Sequence, residues 1–191
     1  MARRLSAVSA LLALSLSSCA FGTGDGIAWI PGHWCDEGTA KAAASADWSK
    51  AKTVSLKIRK KDYDTISLPV PDEDRTYTTE RYHRAFHVNT DMFEPKIVRL
   101  QQGQAYILRV TNTDKVSHSI AGKDFFMTLG IAKVSNAGQE SKRRCIAAVT
   151  IASGASADIH FIAGKKGIYE IEDNAVAFLP GLGDAAFVMV E

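Results

Sequence analysis

The sequence predicts an all-β fold, and three observations support this. The stretch 86–110 contains three groups rich in β-branched and aromatic residues, separated by Pro95 and Gly103. The last group ends at Asn112-Thr113-Asp114, a combination typical of turns. Apolar and polar residues alternate in the stretches 54–59, 146–151 and 157–162, which is the period of a strand with one buried face. Strands therefore account for most of the chain after residue 53.

Residues 1–18 have the layout of a lipoprotein-type signal peptide. Arg3 and Arg4 precede a short apolar region, which cannot span a bilayer as a permanent anchor. The sequence Leu16-Ser17-Ser18-Cys19 resembles a bacterial lipobox, and this resemblance implies that Cys19 is lipidated. We therefore expect an exported protein of the periplasm or cell envelope, with the membrane as a partner through the acyl chains. Ordinary secretion is the alternative.

Length and charge limit the remaining classes. With 191 residues, the chain fits one domain and an extension, which we place at residues 81–191 and 19–80. The formal net charge is +2, and without Arg3 and Arg4 the 21 remaining basic residues equal the 21 acidic ones. A near-neutral protein lacks the basic face that nucleic acid usually requires, so nucleic acid is not expected as a partner.

The predicted extension combines a tether, an aromatic segment and a strand. Residues 20–26 are glycine-rich, as in flexible tethers. Trp29 and Trp34 flank a Pro-Gly turn and are expected to pack against the main domain. The alanine-rich stretch 38–52 could form a short helix or stay irregular, and the helix is not favoured because there is no clear apolar stripe beyond Trp48. A strand at 54–58 and a second short strand at 66–68 follow.

Three cysteines are present, and one of them is the expected lipidation site. If Cys19 is acylated, Cys35 and Cys145 remain, and two cysteines in an oxidising compartment most simply form a disulfide. Such a bond would close a loop of roughly a hundred residues, with a stabilising effect of about 4 to 5 kcal/mol in the chain-entropy model. Separate structural thiols, or Cys35 as a metal ligand beside His33, are the alternatives.

The second half of the chain resembles the cupredoxin family. The family pattern is Phe-x-Pro, a strand, a glycine, a strand ending in Thr-Asn-x-Asp, and a histidine. Its residues here are Phe93, Pro95, Gly103, Thr111, Asn112, Asp114 and His118. Gly167-Ile168-Tyr169 is similar to the Gly-x-Tyr that precedes the copper-binding cysteine of the family. The resemblance implies a cupredoxin-like Greek-key β-sandwich with an N-terminal extension.

The resemblance also implies a copper site, but most of its ligands are replaced. The family binds copper through two histidines, a cysteine and usually a methionine. Counting from Gly-x-Tyr, Asp173 stands in place of the cysteine, Val176 in place of the second histidine and Leu182 in place of the methionine. Only His118 remains of the four. Because a blue copper centre requires a thiolate, none is expected.

We expect instead a non-blue metal site centred on His118. Imidazole and carboxylate ligands suit copper(II), iron or zinc, and copper is the favoured ion. The other candidate ligands are Asp173, Glu172, Glu170, His87, Met127 and His33. The expected function is binding or handling of a transition metal at the cell envelope.

A metal-free cupredoxin-like module is the alternative function. It would have a structural or protein-binding role, with an envelope protein as partner and an exposed apolar patch such as Phe178-Leu179-Pro180. An enzyme is not expected, because the sequence contains neither a Ser-His-Asp pattern nor a phosphate-binding glycine loop.

The alternation of each strand predicts the buried core. Phe125 is assigned to it from the Asp124-Phe125-Phe126-Met127 segment, and His160 is expected to be a packing or exposed strand residue. The predicted core residues are Val88, Phe93, Ile97, Leu100, Tyr106, Leu108, Val110, Ile120, Phe125, Val149, Ile151, Ile159, Phe161, Tyr169, Ile171, Phe187 and Val190.

Overall fold

Two six-stranded sheets pack against each other around one core in this computed structural model. The described residues are 25–59, 64–65, 87–88, 92–142, 144–173 and 185–191, with backbone only for 33, 64, 65, 87, 88 and 123. The first sheet consists, in spatial order, of β1 (Ile27–Trp29), β11 (Ile146–Ile151), β8 (His118–Ala121), β13 (Gly167–Asp173), β14 (Ala185–Val190) and β6 (Ile97–Leu100). The second consists of β10 (Gln139–Ser141), β9 (Gly130–Asn136), β12 (Ser156–Ile162), β7 (Ala105–Asn112), β2 (Lys52–Ile58) and β5 (Phe93–Glu94). A separate antiparallel pair is formed by β3 (Asp64–Thr65) and β4 (His87–Val88).

The connections between strands cross repeatedly from one sheet to the other. The chain leaves the second sheet at the end of β7, enters the first at β8, and crosses again from β12 to β13. Paired neighbours are antiparallel except β2 with β7 and β14 with β6, which are parallel. These crossings are typical of Greek-key sandwiches. The predicted all-β Greek-key β-sandwich is confirmed.

The segment predicted as an N-terminal extension supplies strands to both sheets. β1 is an edge strand of the first sheet and pairs with β11. β2 lies inside the second sheet, between β5 and β7, and contains the strand predicted at 54–58. The proposed boundary at residue 81 and the predicted strand at 66–68 lie outside the described residues. The sandwich therefore depends on strands from residues 27–58.

The alanine-rich stretch forms a short helix, α1 (Glu37–Ser45), which is the alternative that the sequence did not favour. Asp36 caps it by accepting a hydrogen bond from the Thr39 amide at 2.7 Å, and alanine has a high helix propensity. Instead of a wide apolar stripe, the helix buries the small Ala43. A side chain at Gly130 would collide with the Thr39 backbone, so glycine there allows close packing of α1 on β9.

A second short helix, α2 (Lys123–Thr128), follows β8. Its residues Phe125 and Phe126 are fully buried, with ring centroids 5.6 Å apart. Within the part of the chain that the structure describes, neither this helix nor any other is long and apolar enough to cross a bilayer.

The core lies between the sheets and largely matches the prediction. Two members were wrong, because Ile97 and Phe187 are 52% and 38% exposed on the outer face of the first sheet. Their neighbours Val98 and Val188 point inward, and side chains alternate along a strand. The confirmed members are Phe93, Leu100, Tyr106, Leu108, Val110, Ile120, Phe125, Val149, Ile151, Ile159, Phe161, Ile171 and Val190. Tyr169 is half-buried against Phe125, and the side chain of Val88 lies outside the described residues.

The aromatic segment near the N-terminus is only partly buried. Trp29 and Trp34 are 41% and 51% exposed, so the expectation that they would be buried against the sandwich was wrong. β1 buries Ile27 and exposes Trp29, although strict alternation would place both on one face, because the register of β1 with β11 shifts between Ala28 and Trp29. A disulfide joins Cys35 to Cys145 with a Cα–Cα distance of 5.9 Å. It fixes the end of this segment to the residue before β11.

Candidate functional site

Three polar side chains meet inside one end of the sandwich. His118 is the first residue of β8 and is only 1% exposed. Asp114 lies in the turn between β7 and β8, and Asp173 is the last residue of β13. Because β13 pairs with β8, with Asp173 opposite Ile120, the end of one strand lies beside the start of the other. We call this group the Asp114–His118–Asp173 cluster.

Both ring nitrogens of His118 contact carboxylates. Nδ1 lies 2.8 Å from Oδ2 of Asp173, and Nε2 lies 2.9 Å from Oδ2 of Asp114. The two aspartates are 7% or less exposed. An ionised carboxylate only accepts hydrogen bonds, so both contacts are satisfied when the ring donates from both nitrogens as an imidazolium. Buried charges need such pairing, because desolvation is otherwise costly.

Backbone amides also donate to the two carboxylates. The Lys115 amide donates to Oδ1 of Asp114 at 2.6 Å, and the Ser119 amide donates to Oδ1 of Asp173 at 3.3 Å. Each carboxylate therefore contacts the imidazole through one oxygen and the backbone through the other. These contacts hold both side chains in place beside the ring.

Asn112 holds the turn that carries Asp114. Its Nδ2 donates to the carbonyl oxygens of Val116 and Ile151 at 2.8 and 3.0 Å, and its Oδ1 accepts from the Asp114 amide at 2.9 Å. The Ser153 hydroxyl also donates to the Asp114 carbonyl oxygen at 2.7 Å. The Asn-x-Asp motif thus has a structural role here, since it ties the β7–β8 turn to the end of β11.

The donor set of the cluster does not fit a copper ion. A metal needs an unprotonated ring nitrogen, and each nitrogen of His118 already has a carboxylate oxygen within 2.9 Å. The two nitrogens point to opposite sides of the ring, so one ion could not bind the imidazole and both carboxylates together. Among the described residues, no group of three or more His, Cys, Asp and Glu side chains is arranged to hold a metal ion.

The other predicted ligands lie in different places. Glu172 precedes Asp173 and therefore points to the opposite, outer face of the first sheet. Met127 is half-buried in α2 and lines a cavity beside Trp34. The side chains of His87 and His33 lie outside the described residues. The structure thus brings Asp173 to His118, but not Glu172 or Met127.

His160 is separate from the cluster, because it lies in β12 of the second sheet. Its ring packs edge-on against Trp48, with centroids 5.5 Å apart, and its buried Nδ1 has no partner among the described residues. Burial lowers the pKa of His160, and the charge of Lys133 lowers it further. Its position matches the packing role expected from the sequence.

A groove of about 690 Å³ lies on the outer face of the first sheet. Its apolar part includes Ile168 and Phe187, which are 68% and 38% exposed, and Ile97 lies opposite Phe187 in the sheet. The lining also includes the acidic side chains Asp124, Glu170 and Glu172. We call this surface the acidic groove.

Asp114 is the member of the cluster that sequence reasoning did not identify as a partner of His118. The sequence does contain a feature that indicates this contact, because Asp114 precedes His118 by only four residues in a turn motif. The family pattern alone does not assign Asp114 a contact with the histidine.

No protein-family model matches the sequence, and neither does any curated protein. The shape of the chain is similar to a multicopper oxidase of Campylobacter jejuni, with 10% identity and a TM-score of 0.42 over 76% of this chain and 31% of the oxidase. It is also similar to the copper nitrite reductase of Nitrosomonas europaea, with 13% identity and a TM-score of 0.42 over 78% of this chain and 51% of the reductase. A third similar structure is the multicopper oxidase McoA of Aquifex aeolicus, with 10% identity and a TM-score of 0.46 over 76% of this chain and 30% of McoA. The chain therefore spans about half the length of these proteins or less.

Proposed function

We propose that this chain is an exported, lipid-anchored module of the cell envelope that binds a protein partner and does not handle a metal ion. The observation that carries the proposal is the contact of both His118 nitrogens with buried carboxylates, at 2.8 and 2.9 Å. His118, the residue that resembles a copper ligand, therefore uses both ring nitrogens in contacts within the Asp114–His118–Asp173 cluster. Acylation of Cys19 would place the domain at the membrane surface.

A copper(II) titration tests the metal-free part of this proposal. We expect the protein to bind no stoichiometric copper with a dissociation constant below about 1 μM, because each ring nitrogen of His118 already contacts a buried carboxylate oxygen. Calorimetry measures the affinity, and electron paramagnetic resonance reports imidazole ligands. His118→Ala should give the same weak binding as the wild type.

Stoichiometric submicromolar binding by the wild type would contradict the metal-free function. Variants His87→Ala and His33→Ala would then show whether the ion binds at histidines whose side chains lie outside the described residues. A different result would be that His118→Ala is the one variant that abolishes the binding, with circular dichroism showing that this variant is folded. In that case, metal handling at the cluster would replace the present proposal.

The acidic groove is the surface that we assign to the partner. Large apolar side chains such as Ile168 and Phe187 are normally buried, and contiguous exposed ones mark interaction sites. The carboxylates of Glu170 and Glu172 beside them favour a partner segment that carries both apolar and basic side chains. The proposed occupant is therefore an apolar, basic segment of another envelope protein.

Site-specific photocrosslinking in cells tests the assigned surface. A photoreactive residue at Ile168 should give a discrete adduct with another protein, whereas the same residue at Thr150, exposed on the same sheet, should not. Replacing Glu170 and Glu172 with lysine should reduce the adduct by at least about tenfold, because like charges at an interface oppose association. An adduct of equal yield in the lysine variant, or no adduct at Ile168, would rule out the acidic groove as the binding surface.

A further inference from the structure

We infer that Trp29 and Trp34, together with the basic residues Lys142 and Arg144, form a second contact with the membrane. This contact would orient the sandwich on an anionic lipid surface, in addition to the acyl anchor that holds it there. The inference rests on the proposed lipid anchor for its location. We call these four residues the tryptophan face.

The two indoles project from a segment that is held in place. Trp29 ends β1, and the Ile30 amide donates to the Cys145 carbonyl oxygen at 3.2 Å. Trp34 ends a short 3₁₀ helix, and its amide donates to the Pro31 carbonyl oxygen at 3.0 Å. The next residue, Cys35, is bonded to Cys145. The exposed rings are therefore presented by a rigid support.

Indole side chains suit the boundary between lipid and water. Tryptophan has a large apolar body and one polar N–H group, and it is enriched at the interfaces of bilayers. Here the two rings are 41% and 51% exposed, although most large side chains of the described sandwich are buried. A bilayer interface would take up this apolar area and leave each N–H group close to lipid headgroups.

The charges near Trp29 favour an anionic surface. Arg144 lines a cavity of about 390 Å³ with Trp29, Ile30 and Gly32, and it is exposed. Lys142, two positions earlier in the chain, is exposed as well. Basic side chains beside an interfacial aromatic residue attract anionic lipid headgroups. Asp36, two positions after Trp34, is also charged, and its carboxylate lies at the N-terminus of α1, where it accepts from the amide and hydroxyl of Thr39.

Chain length places the tryptophan face near the anchor. Asp25 is six positions after Cys19, so the two residues lie no more than about 20 Å apart even when the chain is fully extended. β1 begins two residues later and runs directly to Trp29. A lipidated Cys19 would therefore keep this strand within reach of the headgroups.

Fluorescence quenching by brominated lipids tests the inference. The full-length lipidated protein is reconstituted into phosphatidylcholine vesicles containing phosphatidylglycerol, with and without bromine on the acyl chains. In a Trp48→Phe variant only Trp29 and Trp34 emit, and we expect about a twofold lower emission in brominated vesicles, because interfacial indoles lie close to the acyl chains. The Trp29→Phe/Trp34→Phe variant retains Trp48, which packs on His160, and should show no such loss. Lys142→Glu/Arg144→Glu in the Trp48→Phe background should weaken the quenching.

The intact mass and the fluorescence quenching test the lipid anchor and the tryptophan face separately. The intact mass of the purified protein shows whether Cys19 is acylated. If the protein is acylated but the Trp48→Phe variant emits equally in both kinds of vesicle, the tryptophan face does not contact lipid and the inference is wrong, while the anchor stands. If the protein is not acylated, the proposed anchor fails. Quenching of the unacylated protein by the same vesicles would still support the tryptophan face, and equal emission would overturn it.

Discussion

Replacing Cys35 and Cys145 with serine is expected to lower the free energy of unfolding by about 4 to 5 kcal/mol. The two cysteines are 110 positions apart, so their bond strongly restricts the unfolded chain. A loss of this size is a large part of the stability of a typical domain, which is about 5 to 15 kcal/mol. Urea denaturation followed by circular dichroism, with and without a thiol reductant, measures the change.

The reductant provides the control for this prediction. The reduced wild type and the Cys35→Ser/Cys145→Ser variant should unfold at similar denaturant concentrations, and the reductant should not affect the variant. Cys35→Ser alone should resemble the double variant, since either substitution removes the bond. An oxidised wild type that unfolds at the same urea concentration as the reduced protein would contradict the predicted contribution.

The variant His118→Ala should lower the free energy of unfolding by about 3 to 5 kcal/mol. The substitution removes the imidazole that contacts both Asp114 and Asp173, and the two aspartates are buried. Buried carboxylates that each lose a hydrogen-bond partner are costly, and two ionised carboxylates also repel each other. Chemical denaturation of the purified variant beside the wild type gives this value.

His160→Ala is the matched control for His118→Ala. His160 is half-buried and has no carboxylate contact within hydrogen-bonding distance among the described residues, so its loss should be clearly smaller. Asp173→Asn keeps the shape of the side chain and should cost about 1.5 to 3 kcal/mol, which is typical for a hydrogen bond to a charged group. If His118→Ala costs no more than His160→Ala, the cluster does not stabilise the fold in the way described.

The strands were predictable because their signal is local. The alternation of Val54, Leu56 and Ile58 and the turn after Val110 are properties of short segments. The direction of Ile97 and Phe187 was not predictable, because the core side of a strand is set by its neighbours in the sheet.

The helix α1 was missed because its stability comes from an Asp36 cap and close packing on Gly130 rather than from an apolar stripe.

The candidate site was only partly predictable for a related reason. A motif identified His118, and counting from Gly-x-Tyr identified Asp173. The sequence could not decide between a metal site and a hydrogen-bonded cluster, because histidine and aspartate serve in both. Which of the two forms depends on tertiary structure. The pairing of β8 with β13 brings Asp173 to His118, and the turn held by Asn112 brings Asp114 to Nε2 of His118.

The order of strands in the first sheet separates the tryptophan face from the acidic groove. β1, which carries Trp29, is at one edge, whereas β13 and β14, which line the acidic groove, are three and four strands away. At about 4.8 Å per strand, this separation is about 15 to 20 Å. If the β1 edge contacted lipid, this distance would keep the acidic groove away from the membrane surface. The groove would then remain accessible to a partner in the aqueous compartment.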